Sequence, residues 1–183
     1  MANRYWVGGT GTWNTTSTTN WSASSGGAGG ASVPTSADNV FFDRTGTYTV
    51  TCTGTRNCLS LTVSAGTVTF AQGTSPLLNI YGSLSLITGT VWNTTGVTTF
   101  RSTTTGNTIT TNGTLMSGGI TFNGAGGGWT LGSALSFPSA VTTKITFTDG
   151  ALFDTANYNI SNCNNFTNTA FPGTLTFGSS TIN

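Results

Sequence analysis

Residues Ile120-Thr121-Phe122 carry a three-residue pattern, an apolar residue followed by Thr and Phe, that recurs along this 183-residue chain. The other copies are Val68-Thr69-Phe70, Ile145-Thr146-Phe147, Leu175-Thr176-Phe177 and the weaker Thr98-Thr99-Phe100. The Phe residues of successive copies are 30, 22, 25 and 30 positions apart. A unit of 20 to 50 residues that repeats along a chain is typical of solenoid proteins.

Each repeat also holds other short segments in which apolar and polar residues alternate. After the Ile120 copy, for example, come Trp129-Thr130-Leu131 and Ala134–Phe137, separated by Gly and Ser. About three short strands per repeat are therefore expected. The sequence predicts an all-β fold, a parallel β-helix of about five to six coils, with the Phe of each motif inside and its Thr outside. An antiparallel β-sandwich, which also has short strands at 8–12-residue spacing, is the alternative.

The composition fits strands better than helices and removes much enzyme chemistry. Thr, Gly, Ser and Asn together make up 104 of the 183 residues, whereas charged residues make up 5%. Thr suits a pleated surface, and Gly disfavours helix interiors. The chain contains no His and no Glu, so a Ser-His-Asp or Cys-His catalytic group cannot be built. We expect a non-enzymatic protein with no catalytic residue, no cofactor and no metal site.

The four acids form two pairs along the chain, Asp38 with Asp43 and Asp149 with Asp154. Two carboxylates are the minimum for glycoside hydrolysis, as in a polysaccharide depolymerase. However, Asp43 begins the turn-like stretch Asp43–Gly46, and Asp149 precedes a glycine, which are positions where Asp bonds to its own backbone. The sequence favours structural roles in turns for all four.

Three cysteines occur, Cys52, Cys58 and Cys163, and they lack the spacing of a disulfide framework or a metal site. We predict that they are small hydrophobic core residues. A disulfide between Cys52 and Cys58 is the alternative.

Charge and hydropathy argue against nucleic-acid and membrane partners. The five bases are dispersed and the formal net charge is +1, so clustered phosphate contacts are not expected. No apolar run approaches the roughly 20 residues of a membrane span. The first residues also lack the apolar core of a secretion signal. The chain is therefore expected either to belong to a longer secreted protein or to reach the outside by cell lysis, as virion components do.

The two ends differ from the repeats. Residues 1–38 are predicted to form an N-terminal cap or attachment segment, and residues 39–183 the solenoid. Tyr5, Trp6, Trp13 and Trp21 in the cap either plug the first coil or contact a glycan or a partner. Residues 171–183 begin a coil that they do not complete, which would leave strand edges unpaired. A partner chain, most simply in a homo-oligomer, or a longer chain would cover that end.

The N-terminal segment resembles a recurring module. The residues that carry the resemblance are Arg4-Tyr5-Trp6-Val7-Gly8-Gly9-Thr10-Gly11-Thr12-Trp13, Thr19-Asn20-Trp21-Ser22, Ser25-Gly26-Gly27-Ala28, Val33-Pro34-Thr35 and Ala37-Asp38-Asn39-Val40-Phe41-Phe42-Asp43. This pattern is similar to segments of repetitive bacterial surface adhesins and of structural proteins of tailed phages, in which it precedes Thr/Gly-rich β-solenoid repeats.

The resemblance covers about residues 4–43 and brings no catalytic residue with it. It implies a structural protein on the surface of a phage particle, as a capsid-decoration, fibre or tail-associated protein. The partners then expected are other virion proteins, further copies of the chain, for which the resemblance suggests a trimer, and a host surface glycan. A fragment of a secreted adhesin or glycan-binding module at the bacterial surface is the alternative that the same module implies.

Overall fold

The computed structural model describes residues 1–72, 78–94, 96–139, 144–169 and 173–183, apart from the side chains of Gln72 and Lys144. Every regular element in these ranges is a β-strand. The strands, numbered β1 to β21 in chain order, wind into a parallel β-solenoid of about six turns with three faces. The predicted β-helix is thus confirmed, and the sandwich alternative is wrong.

The first face is a nine-stranded sheet. Its parallel strands are β1 (Asn3–Trp6), β4 (Asn39–Phe42), β7 (Leu61–Val63), β10 (Leu84–Ser85), β13 (Asn107–Thr110), β15 (Gly128–Leu131), β18 (Leu152–Asp154) and β21 (Leu175–Thr176). The ninth strand, β3 (Trp21–Ser22), lies antiparallel against β1 at the N-terminal edge, with Trp6 opposite Trp21. It is the single antiparallel strand among the described pairings.

The second face begins as a four-stranded sheet and continues through shorter pairings. The sheet contains β2 (Gly11–Trp13), β5 (Thr47–Cys52), β8 (Thr67–Gln72) and β11 (Val91–Asn93). Single bridges at Met116 and Leu115 then connect β11 to the strand pair β16 (Leu135–Ser136) and β19 (Ile160–Ser161). A last bridge joins Ile160 to Ile182.

The third face is a six-stranded parallel sheet. Its strands are β6 (Arg56–Cys58), β9 (Leu78–Ile80), β12 (Thr98–Phe100), β14 (Ile120–Phe122), β17 (Lys144–Phe147) and β20 (Asn165–Asn168). Residues of consecutive coils lie directly over one another, so each position of a strand forms a column along the solenoid. One inward column on this face runs through Cys58, Ile80, Phe100, Phe122 and Phe147.

The repeated motif lies on different faces, and its spacing explains why. Phe100, Phe122 and Phe147 are 22 and 25 residues apart, close to one coil, and they stack in register on the third face. The two spacings of 30 exceed one coil by roughly a third. Phe70 therefore lies on the second face, beside Trp92, and Phe177 follows β21 on the first face. The repeat also implied that the Phe residues of all five motifs stack in one ladder on a single face, and this expectation is wrong for Phe70 and Phe177.

The outward column next to this ladder is Thr99, Thr121, Thr146 and Thr167. Period-two alternation accounts for its position, since neighbours in a strand point to opposite sides. Three of these four threonines are partly exposed, whereas Thr99 is 5% exposed. Thr99 is paired with Asn79 of the preceding coil, which is itself buried and accepts a hydrogen bond from Arg101 Nε at 2.9 Å.

The N-terminal residues join the same sheets as the repeats. Strand β1 pairs in parallel with β4, and β2 pairs in parallel with β5. The segment 14–38 contributes β3 and otherwise lacks regular strands. The described core is one continuous cluster from Trp6 to Ile160.

Candidate functional site

Three tryptophans fill the N-terminal end of the core; we call them the aromatic plug. Trp6 on β1, Trp13 on β2 and Trp21 on β3 are each 0% exposed. The ring of Trp21 meets those of Trp6 and Trp13 edge-on, with centroids 5.0 and 5.2 Å apart. All three lie within about 6 Å of the Phe42 ring. Their faces are covered by protein, so a sugar ring has no access to them in this structure.

The indole N–H groups of the plug differ in their partners. Trp6 Nε1 donates a hydrogen bond to the carbonyl oxygen of Gly9 at 2.8 Å. The Nε1 atoms of Trp13 and Trp21 are buried and have no acceptor. A buried donor without a partner is unfavourable by about 1–3 kcal/mol, so the indole N–H groups of Trp13 and Trp21 both oppose folding.

Tyr5 is the one member of the predicted aromatic set that reaches the surface. It is half-buried on the outer side of β1 and stacks on Phe41 of β4, with ring centroids 4.9 Å apart and planes at 17°. In the sequence, Phe41 was named only as part of the N-terminal module and not as a candidate contact. Its neighbour Phe42 is buried, and alternation within β4 therefore required Phe41 to face outward.

Asp38 and Asp43 do not form a carboxylate pair of glycosidase geometry, and neither forms one with Asp154. Asp38 and Asp43 lie at opposite ends of β4, roughly 16 Å apart along an extended strand. Five inter-strand steps, about 24 Å, separate β4 from β18, which ends at Asp154. Paired glycosidase carboxylates are about 5–9.5 Å apart.

Asp38 has the structural role predicted for it. Its carboxylate accepts hydrogen bonds from Ala2 N, Thr35 N and Thr35 Oγ1 at 3.1, 3.0 and 2.8 Å. Burial by itself would raise the pKa of Asp38, but these hydrogen bonds and the charge of Arg4 outweigh it and lower the pKa below 3.8. Asp154 also serves a turn, since its Oδ1 accepts from Ala156 N at 2.8 Å.

The cysteines are free thiols, and the proposed bridge between Cys52 and Cys58 is wrong. Both are buried core residues, as predicted, while Cys163 is half-buried. Burial raises the pKa of Cys52 to about 12 and raises that of Cys58 further.

Within the described ranges, no three cysteine or acidic side chains are grouped so that they could hold a metal ion. No helix in those ranges is long and apolar enough to cross a membrane.

Among the described residues, no further strand pairs with the last strands of the C-terminal coil. Strand β21 covers β18 on the first face, and residues 181–183 bond to β19 and Cys163 on the second. On the third face, β20 is the last strand of its sheet among the described residues. Phe166, Leu175 and Phe177 are half-buried around this end. We call β20, β21 and residues 181–183 the open end; Phe171 and Pro172 of this region lie outside the described residues.

One residue that the sequence reasoning counted only as a dispersed base is Arg56. It is 6% exposed and lies on the inner side of β6. The position of Arg56 could have been inferred from Cys58, an apolar residue two positions further along the chain. Two positions apart on one strand, Arg56 and Cys58 had to share a side.

The chain was compared with protein-family models, curated proteins and solved structures, and none of them matches it.

Proposed function

We propose that this chain is a non-catalytic structural protein on the surface of a phage particle, as a capsid-decoration, fibre or tail-associated protein. It assembles with further copies of itself through the open end and with other virion proteins. The observation that carries the proposal is the difference between the two ends of the solenoid. The resemblance of residues 4–43 to segments of phage structural proteins supplies the setting.

The N-terminal end is closed to strand addition on its first face. Strand β3 is the edge strand of the nine-stranded sheet, antiparallel to β1, and its Trp21 carbonyl already accepts hydrogen bonds from Gly30 N and Ala31 N at 3.0 and 2.9 Å, so it is not free to pair with another strand. The aromatic plug, with Trp21 from β3 itself, covers the core beneath that edge. Head-to-tail stacking of solenoids on this face would have to displace β3, which disfavours a filament and favours contact between open ends.

The open end suits self-association through backbone pairing and apolar contact. Strand edges are templates for pairing with another chain. Phe166 packs on Phe147 and Phe177, with centroids 5.3 and 5.6 Å away, and its ring remains partly accessible. Residues 155–183 contain no Asp, Glu, Lys or Arg. Association there is therefore expected to be insensitive to salt. The resemblance suggests a trimer.

The long sides of the solenoid support an exterior position. Hydroxyl groups are common on them, as in the partly exposed Thr121, Thr146 and Thr167 of the outward column. With 5% charged residues, this surface interacts with water mainly through neutral hydrogen-bonding groups.

Sedimentation at low and high salt tests the assembly. We expect an oligomer whose mass is the same at both salt concentrations. Ile182→Lys places a charge at the open end on a side chain that is 37% exposed, and it should shift the chain toward monomer, less so at high salt. Leu115→Lys is the matched control, because Leu115 is 48% exposed but lies in the middle of the second face. A wild-type monomer, or equal effects of the two variants, would contradict assembly through the open end.

The setting is tested separately by asking whether the chain co-purifies with intact phage particles. Co-purification at a fixed copy number supports the virion role. Its absence would favour the second candidate, a fragment of a secreted adhesin or glycan-binding module at the bacterial surface. The stacked pair of Tyr5 and Phe41 favours that candidate, because it presents an aromatic surface outside the core. Glycan binding that is lost in Tyr5→Ala would then be expected.

A further inference from the structure

Arg56 occupies an inward position that the following coils fill with uncharged residues. Its column on the third face continues through Leu78, Thr98, Ile120, Ile145 and Phe166. Strand β6 is the first strand of this sheet, so Arg56 lies at its N-terminal edge, next to the segment that carries the aromatic plug. The guanidinium of Arg56 therefore occupies a position at which the other strands of this column contribute uncharged side chains to the core.

The guanidinium of Arg56 has no acceptor among the described residues. Its Nε is fully buried without a hydrogen-bond partner. The titratable group that interacts electrostatically with the Arg56 guanidinium is the thiol of Cys52. Burial raises the pKa of that thiol to about 12. Cys52 is thus uncharged at neutral pH and does not offset the positive charge. Burial lowers the pKa of Arg56, yet an arginine stays protonated in proteins.

Arg4 provides a comparison, because its guanidinium has hydrogen-bond acceptors. It stands at the start of an inward column on the first face, opposite Val40. Its guanidinium donates to Ser32 O, Ser32 Oγ and Asn3 O at 2.7–3.2 Å. The fold therefore provides acceptors for the guanidinium of Arg4 and none among the described residues for that of Arg56.

A cavity of about 170 Å³ lies beside Arg56. Its lining residues include Trp13, whose Nε1 is the second orphaned donor of this region. Thr15, Thr35 and Thr55 are exposed and form its solvent-facing rim. Arg56 and Trp13 thus line one cavity, and both carry a buried donor without an acceptor.

We propose that this cavity binds one small oxyanion group, a carboxylate or a sulfate or phosphate, between Arg56 and Trp13. The outer end of a guanidinium donates two parallel hydrogen bonds to such a group, whereas Trp13 Nε1 is covered and becomes a third donor once the group displaces the side chains over it. Drug-sized ligands occupy sites of roughly 300–1,000 Å³, so this cavity of about 170 Å³ admits a small group and not a drug-sized molecule. The group is either a free ion or the acidic substituent of a larger molecule that rests on the threonine rim.

The test follows indole N–H signals in two-dimensional proton–nitrogen NMR spectra during titration with sodium sulfate, sodium acetate or sodium glucuronate. Sodium chloride at matched ionic strength is the reference. The Trp13 signal, assigned with Trp13→Phe, should shift saturably with at least one oxyanion. The indoles of Trp6 and Trp129, which already donate to Gly9 O and Gly82 O, should not shift. Tighter binding of glucuronate than of acetate identifies an acidic sugar, and equal or weaker binding identifies a free ion.

Two arginine variants complete the test through the melting temperature. Stabilisation by a ligand of the folded state grows with ligand concentration. The wild type and Arg44→Gln, which removes an equal charge from an exposed arginine, should both gain melting temperature with the oxyanion. Arg56→Gln should lose the gain. No saturable Trp13 shift with any oxyanion, or the same gain in Arg56→Gln, would overturn the proposal; the wild-type titration decides it if Arg56→Gln does not fold.

Discussion

The ring of Phe122 lies nearly parallel to the ring of Phe147, with planes 8° apart and centroids separated by 4.8 Å. That distance equals the spacing between adjacent strands, so the two rings repeat the backbone pairing of β14 and β17. Phe100 continues the stack on the other side at 5.3 Å and 17°. The ladder links three consecutive coils through one column of identical side chains.

Removing the central ring of this ladder should be costly. Phe122 is 0% exposed and contacts Phe100, Trp129, Phe147 and Phe153. Phe122→Ala is expected to lower the free energy of unfolding by about 3–5 kcal/mol. Thr121→Ser, on the outer side of the same strand, should lower it by far less. Urea denaturation measures both, and equal losses would mean that the inner and outer sides are wrongly assigned.

Gly66 is required at a corner where two coils come close. It has φ of +75°, and a Cβ there would meet the backbone oxygens of Arg44 and Gly46 at 2.5 and 2.7 Å. Gly46 also has a positive φ, +91°, but a Cβ on it would meet nothing within 4 Å. Gly46→Ala should therefore cost about 1–2 kcal/mol from backbone strain alone. Gly66→Ala should cost about 1–3 kcal/mol more, from the added crowding.

Thermal or urea unfolding of the two glycine variants decides this point. Equal destabilisation would show that the close approach of the coils at Gly66 relaxes without cost.

The carboxylate of Asp38 should make stability depend on pH. Its pKa is lowered in the folded state, so its contribution is present above the ordinary pKa of 3.8. The contribution is lost as the pH falls through the lowered value. Asp38→Asn should cost about 1–3 kcal/mol near neutral pH, and the difference from the wild type should shrink below about pH 4.

Asp43→Asn, which removes the same charge from the turn after β4, is the control for Asp38. Stability curves for the three proteins between pH 2 and pH 7 provide the measurement. A difference between wild type and Asp38→Asn that stays constant over this range would contradict the assigned role.

The three thiols should differ in reactivity. Cys52 and Cys58 are 1% and 0% exposed, and burial raises the pKa of each. Cys163 is half-buried, and burial raises its pKa as well. Backbone hydrogen bonds with Ile145 and Asn165 lower this pKa but do not outweigh the effect of burial. A thiol reagent should label Cys163 alone in the folded protein, faster as the pH rises, because the thiolate is the reactive form. All three should react in denaturant; rapid labelling of Cys52 or Cys58 in the native protein would contradict the packing described.

The class of fold followed from the sequence because two periods are visible in it. Alternation within segments such as Ile145-Thr146-Phe147 gives the inner and outer side of a strand, and the recurrence at 22–30 residues gives the coil. Glycine and asparagine at corners, such as Gly66, mark where strands end. The exclusion of imidazole chemistry also needs no structure, since the chain has no histidine.

The assignment of strands to faces was decided only by the tertiary structure. Alternation says whether Phe70 points inward, but a corner that is longer by a few residues moves the next motif to another face, and the local pattern is unchanged. For the same reason the sequence left open whether Trp13 and Trp21 lie inside or outside, since that depends on β3 turning back against β1. The cavity between Arg56 and Trp13 likewise arises from a long-range pairing, that of β2 with β5, which sets Trp13 opposite Cys52 and brings residues 43 positions apart in the chain to one wall. Local periodicity fixes which side of a strand a residue occupies, and long-range packing alone fixes what lies opposite it.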